Sequence, residues 1–360
     1  SGAPYRLVAN EAQSYIGSYV LGKGFVLLPT QARALIEKDP RNTDVLFPYL
    51  IGKDLNQEPG AKASRWVINF HDWPQEKAAE YADVFEIVEH DVKPVRACNN
   101  RAARRDRWWQ YAERAPHLYE AIANLRQVVV IARVSKTAIP VRVSTRQVMS
   151  EQVVVFPTDS ASQLTILTSS MHYWWALKYS GDMRGDLRYA PSDVHETFPR
   201  PNESAATRGS GEILEKLQQD TMASRSIGLT PLYNLIHTES ETASDTRAIR
   251  TAHIEVDHAV AEAYGWTDLD LKHGFYTTPQ GVRFTIAPDV QTEVLDRLLE
   301  LNHARYKEEV EKGLHTPEAK RRRAAARKVK AKARAAARKS DTAPEDFDDG
   351  GLFAQPDALF

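Results

Sequence analysis

A single cysteine, Cys98, stands in 360 residues. One thiol excludes an internal disulfide, and no CxxC pair is present to hold a metal. No apolar run approaches the roughly 20 residues of a membrane-spanning helix, and no basic-then-apolar leader opens the chain. The expected compartment is the cytoplasm, with no membrane partner. The chain starts Ser-Gly-Ala rather than Met, which reads as a fragment of something longer or as a separately encoded subunit. Catalytic signatures are missing too: there is no Walker loop, no GxGxxG and no HExxH. Nor is there an Asn-Pro-Pro-aromatic tetrapeptide of the kind that holds a flipped adenine; Asp39-Pro40-Arg41-Asn42 lacks the second proline and the aromatic. These absences lead us to expect no catalytic residue, no metal and no cofactor in this chain.

Net charge is −1, and it hides a strong asymmetry. Residues 318–343 carry +9, residues 344–360 carry −5, and the remaining body carries −5. A nucleic-acid surface on the body must therefore be a local patch rather than a global field.

Hydrophobic periodicity divides the chain into four parts and predicts an α+β fold. Residues 1–60 read as a connector from an upstream region and the start of the next domain. They hold a strand-like stretch at 19–28, a helix signal at 30–39 and a Pro/Gly-punctuated link at 47–60. Residues 61–203 read as a mixed α/β domain. In it, β-branched runs at 127–134 and 151–157 predict strands, and helices are predicted near 74–92, 96–114, 116–125 and 163–179. The segment 204–211 (SAATRGSG) reads as a linker into a small helical domain over 204–312. Residues 313–360 form a basic and then acidic tail. Its Ala/Lys/Arg stretch 318–339 repels itself and is expected to order only on an anion.

Two constellations carry chemistry. In 93–114, Arg101, Arg104, Arg105 and Arg107, with Arg96, recur at helical spacing just before Trp108 and Trp109. Guanidinium groups pair bidentately with phosphate, so such a face positions a duplex; the alternative is a solvated basic face over two core tryptophans. The second constellation is 181-GDMRGDLRY-189. In an extended chain Arg184, Asp186 and Arg188 share one face. Arginine can donate to guanine O6 and N7 while aspartate accepts from cytosine N4, so the pair suits one G·C step; the alternative is a salt-bridged loop. The embedded Arg-Gly-Asp carries no adhesion reading in a chain without a secretion signal. His253, Asp257 and His258 share one helical stretch, but no further ligand at zinc-like spacing joins them.

An ordered series of motifs resembles the C-terminal half of MmeI-like type IIL restriction–modification enzymes, in which endonuclease, adenine-N6 methyltransferase and one target-recognition domain share a polypeptide. The series runs through Gly17-Ser18-Tyr19-Val20, 39-DPRNTDVLFPYLIGKDLN-56, 64-SRWVINFHDWP-74 and the Arg-rich segment ending at Trp108-Trp109. It continues with Val134-Ser135-Lys136, 167-LTSSMHYWW-175, 181-GDMRGDLRY-189, Phe198-Pro199-x-Pro201, 262-EAYGW-266 and 298-LLELNHARYKEE-309. The resemblance implies that Arg184 and Asp186 read a base. It implies that Arg188 contacts backbone or supports the reader, and that Lys136, His172 and Trp174 lie near the DNA. It further implies double-stranded DNA and an upstream methyltransferase domain or subunit as partners, with S-adenosylmethionine, and Mg for any nuclease, held there. The closing Gln355–Phe360 loosely resembles a sliding-clamp-binding peptide. The competing reading is a non-specific nucleic-acid-binding or scaffolding protein led by the basic tail.

Overall fold

A computed structural model describes residues 2–183 and 186–340, without the side chains of Asp182, Met183 and residues 330–340. The described residues up to 315 form one compact unit, and those from 316 to 340 belong to a second.

The first unit opens with β1 (Tyr15–Ile16), β2 (Val26–Leu27), α1 (Pro29–Lys38), β3 (Leu46–Leu50), α2 (Gly52–Gln57) and β4 (Arg65–Ile68). Five short helices follow: α3 (Gln75–Ala78), α4 (Ala82–Asp91), α5 (Lys93–Ala97), α6 (Ala102–Asp106) and α7 (Pro116–Ile122). Then come β5 (Gln127–Ala132), β6 (Val134–Ser135), β7 (Val141–Ser144), β8 (Val148–Met149) and β9 (Val153–Phe156). Helices α8 (Ala161–Thr168) and α9 (Ser170–Tyr179) lead into a hairpin, β10 (Gly181–Met183) and β11 (Asp186–Arg188). The chain then turns helical: α10 (Ala205–Arg225), α11 (Leu229–Ile236) and α12 (Ser244–Ala263). A second hairpin, β12 (Gly274–Thr278) and β13 (Gly281–Thr285), precedes α13 (Pro288–Glu311). The fold is mixed α+β, as the periodicity predicts.

The central antiparallel sheet has the order β1-β9-β5-β7. Its inner strands, β9 and β5, are near-continuous apolar runs because both their faces are covered. Along β5, Val129 and Ile131 face a core shared with Trp174, Trp175, Val260 and Leu298, while Val128, Val130 and Ala132 face Leu50, Leu118 and Ile122. This is the strand period of two, read out by two cores. A second sheet, β2-β4-β3-β8, packs with α4, Trp108 and Trp109. Residues 1–60 thus supply β1 to the central sheet and β2 and β3 to the second one.

Three local differences from the sequence reading have physical causes. The link at 47–60 contains β3, an interior strand carrying Pro48. Proline is tolerated because β8 pairs only with Tyr49 and Leu50, which leaves Pro48 beyond the covered part of that side. The supposed linker 204–211 is mostly helix, the first turns of α10, capped by the Ser204 hydroxyl on the Thr207 amide. Gly211 is there for close approach, since a β-carbon on it would sit 2.1 Å from Thr165 Oγ1 on α8. The predicted helix 163–179 is two helices, broken where the Ser169 hydroxyl caps α9.

The second unit contains α14 (Pro317–Ser340), a helix where the sequence reading expects disorder without an anion. Alanine, lysine and arginine are all good helix formers, and that local preference accounts for it.

Candidate nucleic-acid interface

The segment read as one extended strand is instead the hairpin β10–β11, with Met183 paired to Asp186 and Gly181 to Arg188. Arg184, the first proposed base reader, lies outside the described residues together with Gly185. Asp186 and Arg188 are two apart on β11 and so project from one face, with Asp186 half-buried and Arg188 exposed. Leu187 between them points into the core at 2% exposure, and the burial of such a side chain is worth about 1.5–3 kcal/mol. That single residue fixes which face of β11 is presented to solvent.

β11 pairs antiparallel with β6, Leu187 opposite Ser135 and Arg188 opposite Val134. The exposed Lys136 follows Ser135 directly, in the turn that ends β6. Lys136, far from β11 in sequence, therefore lies next to the β6–β11 pairing at one end of a small sheet.

Behind the hairpin stands a buried polar relay. Tyr189, immediately after β11, is fully buried, and its hydroxyl lies 2.9 Å from His172 Nε2. His172 Nδ1 lies 2.7 Å from the Leu167 carbonyl, an acceptor, so Nδ1 carries the ring proton and Nε2 accepts from Tyr189. Burial, aided by the Arg200 charge, pulls the His172 pKa down to about 4 and keeps the ring neutral. Trp174 is also buried, its Nε1 donating to Thr285 Oγ1 at 3.2 Å. His172 and Trp174 thus sit in the interior and offer the surface no atom directly.

Beside the hairpin an open cleft is lined by Lys53, Asn56, Arg133, Glu151, Gln152 and Arg188. Lys53 and Arg188 are exposed. Arg133 is fixed by the Tyr19 hydroxyl at 3.0 Å, and Asn56 donates to the Val134 carbonyl at 3.2 Å. The cleft therefore sets three cations against one carboxylate. Sequence reasoning missed Lys53, Asn56 and Gln152, which are single polar residues with no pattern around them. Arg133 did leave a signal, as a charge interrupting the apolar run 127–134 at the break between β5 and β6.

The arginine-rich segment departs furthest from expectation. No continuous helix spans 96–114; α5 ends at Ala97, and α6 covers only Ala102–Asp106. Arg96 is no phosphate ligand: it is 2% exposed and donates to the Val20 and Leu21 carbonyls. Arg104 lies 3.6 Å from Glu113, and Arg105 donates to the Asn99 carbonyl and lies 4.0 Å from Asp106. Arg101 and Arg107 are exposed. Trp108 and Trp109 belong to the core. The segment still joins the cleft, because Glu113 bridges the Tyr19 backbone, and Tyr19 holds Arg133.

His253, Asp257 and His258 form no metal centre. Asp257 takes hydrogen bonds from Ser170 and lies 2.8 Å from His273, His253 lies 2.7 Å from the Tyr233 hydroxyl, and no metal-holding cluster occurs among the described residues. No helix among them is long and apolar enough to cross a membrane. The clamp-like peptide 355–360 lies outside the described residues.

The fold is similar to that in the structure of the type IIL restriction–modification enzyme MmeI in complex with DNA, at TM-score 0.59 and 15% identity, over 85% of this chain and 36% of that one. This chain thus spans little more than a third of that enzyme. A weaker likeness, at TM-score 0.31 and 14% identity, is to the type IIG restriction endonuclease BpuSI, over 73% of this chain and 32% of that one. No curated protein matches the sequence. A family model, "MmeI, target recognition domain", matches residues 7–202, more than half of the chain and the whole of the surface just described. The chain belongs to the MmeI target-recognition-domain family.

Proposed function

We propose that this chain recognises a specific sequence in double-stranded DNA for a restriction–modification enzyme. It positions a target adenine for N6-methyl transfer by a catalytic domain outside the chain. The observation that carries the reading is the β10–β11 hairpin, which presents Asp186 and Arg188 from one face, beside Lys136 and a cationic cleft, within the matched family segment. Phosphate contacts from the exposed cations set register, and carboxylate and guanidinium groups at the hairpin discriminate bases. S-adenosylmethionine supplies the methyl group in the upstream domain, and no residue of this chain is assigned to it. Base flipping happens there while this part grips the duplex.

Arg184 and Asp186 are proposed to read the two partners of one G·C pair. Combining Arg184→Glu with Asp186→Arg reverses donor and acceptor and should move the preference at that position from guanine to cytosine. The assay is enrichment from duplexes with a randomised centre. Enrichment of the original base by the double variant would remove these two residues from the reader.

A further inference from the structure

Base reading needs the groups at the duplex held to fractions of an ångström, so whatever braces the reading sheet shares in specificity. β6 and β11 form the floor of that sheet, and Lys136 follows directly on Ser135, which pairs with Leu187. The turn after β6 is fixed on one side by the Ser135 hydroxyl, which accepts from the Thr137 and Ala138 amides at 3.1 Å each. On its other side the Lys136 carbonyl accepts from Arg283 Nη2 at 2.7 Å. Arg283 belongs to β13, about eighty residues beyond the end of the family-matched segment.

The environment of Arg283 is unusual for a cation. The residue is 7% exposed, yet its partners are a carbonyl and an imidazole rather than a carboxylate. Nη1 lies 3.1 Å from His237 Nε2, the guanidinium lies 5.8 Å from the Tyr173 ring centre, and Nε has no partner. Burying a cation against neutral groups costs stability, so the fold does not gain from this residue as a simple anchor. What a guanidinium offers is a rigid planar fork that ties two groups at a fixed separation, which a lysine cannot do. Here the two groups are the Lys136 turn and His237, at the end of α11. The same hairpin is tied to α9 by Tyr173 to Gln280 at 2.6 Å and by Trp174 to Thr285. α9 in turn carries His172, the support of Tyr189 at the end of the reading hairpin.

We infer that Arg283 is a positioning residue for base reading. The β12–β13 hairpin of the C-terminal region, through Arg283, holds the Lys136 turn beside the β6–β11 pairing and so extends the specificity apparatus beyond the family's recognition segment. The inference rests on the proposed DNA-reading function.

The test uses the full chain and duplexes with a randomised centre. The wild-type protein first selects its preferred duplex, and dissociation constants for that duplex and for the random pool are then compared at one fixed salt concentration. Arg283→Gln should weaken binding to the preferred duplex about ten- to a hundredfold, the effect of losing one charge-assisted hydrogen bond, with pool binding unchanged. Arg283→Lys, which keeps the charge but can reach only one partner, should recover part of that ratio. In a Lys136→Ala background the same Arg283 substitutions should have little further effect, because they act through that turn. A ratio unchanged in both Arg283 variants would overturn the inference. So would equal losses in the presence and absence of the Lys136 side chain, or parallel loss of preferred and pool binding in Arg283→Lys. Failure of the wild-type chain to enrich any sequence would instead overturn the DNA-reading proposal, and this inference with it.

Discussion

Removing one oxygen, in Tyr189→Phe, tests the relay behind the β10–β11 hairpin. The ring stays in place, including its edge-on contact with Phe156 at 6.0 Å. The lost group is the hydroxyl donor to His172 Nε2, which leaves a buried acceptor without a partner. That costs about 1–3 kcal/mol at neutral pH. The pH dependence makes the test sharper. In the folded wild type, burial holds His172 near a pKa of about 4, against about 6.5 unfolded. Between these values the unfolded state binds more protons, so stability is full above about 6.5 and falls as pH drops toward 4. At pH 5 this one group accounts for about 2 kcal/mol of lost stability. In the variant the Nε2 lone pair is free to take a proton, so the folded pKa rises and the acid penalty shrinks. Urea unfolding followed by tryptophan fluorescence should therefore show a wide stability gap at pH 7 that narrows by pH 5. A variant as stable as wild type at pH 7, or a gap of constant width across this range, would refute the relay.

The remaining predictions concern packing and charge. Gly211→Ala should destabilise by about 1–3 kcal/mol, because the new β-carbon would meet Thr165 Oγ1 at 2.1 Å and the Ala161 carbonyl at 2.7 Å; the roughly 1 kcal/mol gained in helix propensity is smaller. Thermal unfolding checks it, and an unchanged midpoint would mean that α8 and α10 move apart freely. Deletion of residues 313–360 should lower affinity for all duplexes and flatten the slope of log affinity against log salt, through loss of the basic segment, while the preferred base sequence is retained. Loss of all sequence preference on that deletion would favour the non-specific reading led by the tail. Histidines 237 and 253, held by burial to about 3 and about 4, should add to acid destabilisation below pH 6.5, as a steeper loss of thermal stability than His172 alone produces.

Legibility followed the length of the pattern. α1, α12 and α13 are long enough for their apolar stripes to repeat, and β5 and β9 declare themselves as β-branched runs because both their faces are buried. β3 was hidden by Pro48, whose tolerance depends on how far β8 reaches, a tertiary fact with no local trace. Gly211 misled in the same way: in sequence it marks a flexible link, and in space it marks a close helix crossing. Within the site, the Asp186–Arg188 spacing was visible as a motif. Of its neighbours, Lys136 was reached only through the resemblance, and Lys53 and Arg133 were not reached at all, since they come from α2 and the break after β5.

Net charge explains why the site had to be assembled this way. A body carrying −5 cannot attract a polyanion as a whole, so affinity depends on placing a few cations where acids are scarce. The arginine-rich segment, the densest cationic run in the body, does this less than its composition suggests. Arg96 is consumed by backbone carbonyls, and Arg104 and Arg105 face acids nearby. The cleft beside the hairpin does it better, because only Glu151 stands among Lys53, Arg133 and Arg188. A phosphate there would meet one cation already held, Arg133 by the Tyr19 hydroxyl, which leaves that side chain little entropy to lose. The cleft also adjoins the hairpin, since Arg188 belongs to both. On the proposed reading, charge that sets register and groups that read bases are then linked through Arg188, so a shift in the hairpin moves both.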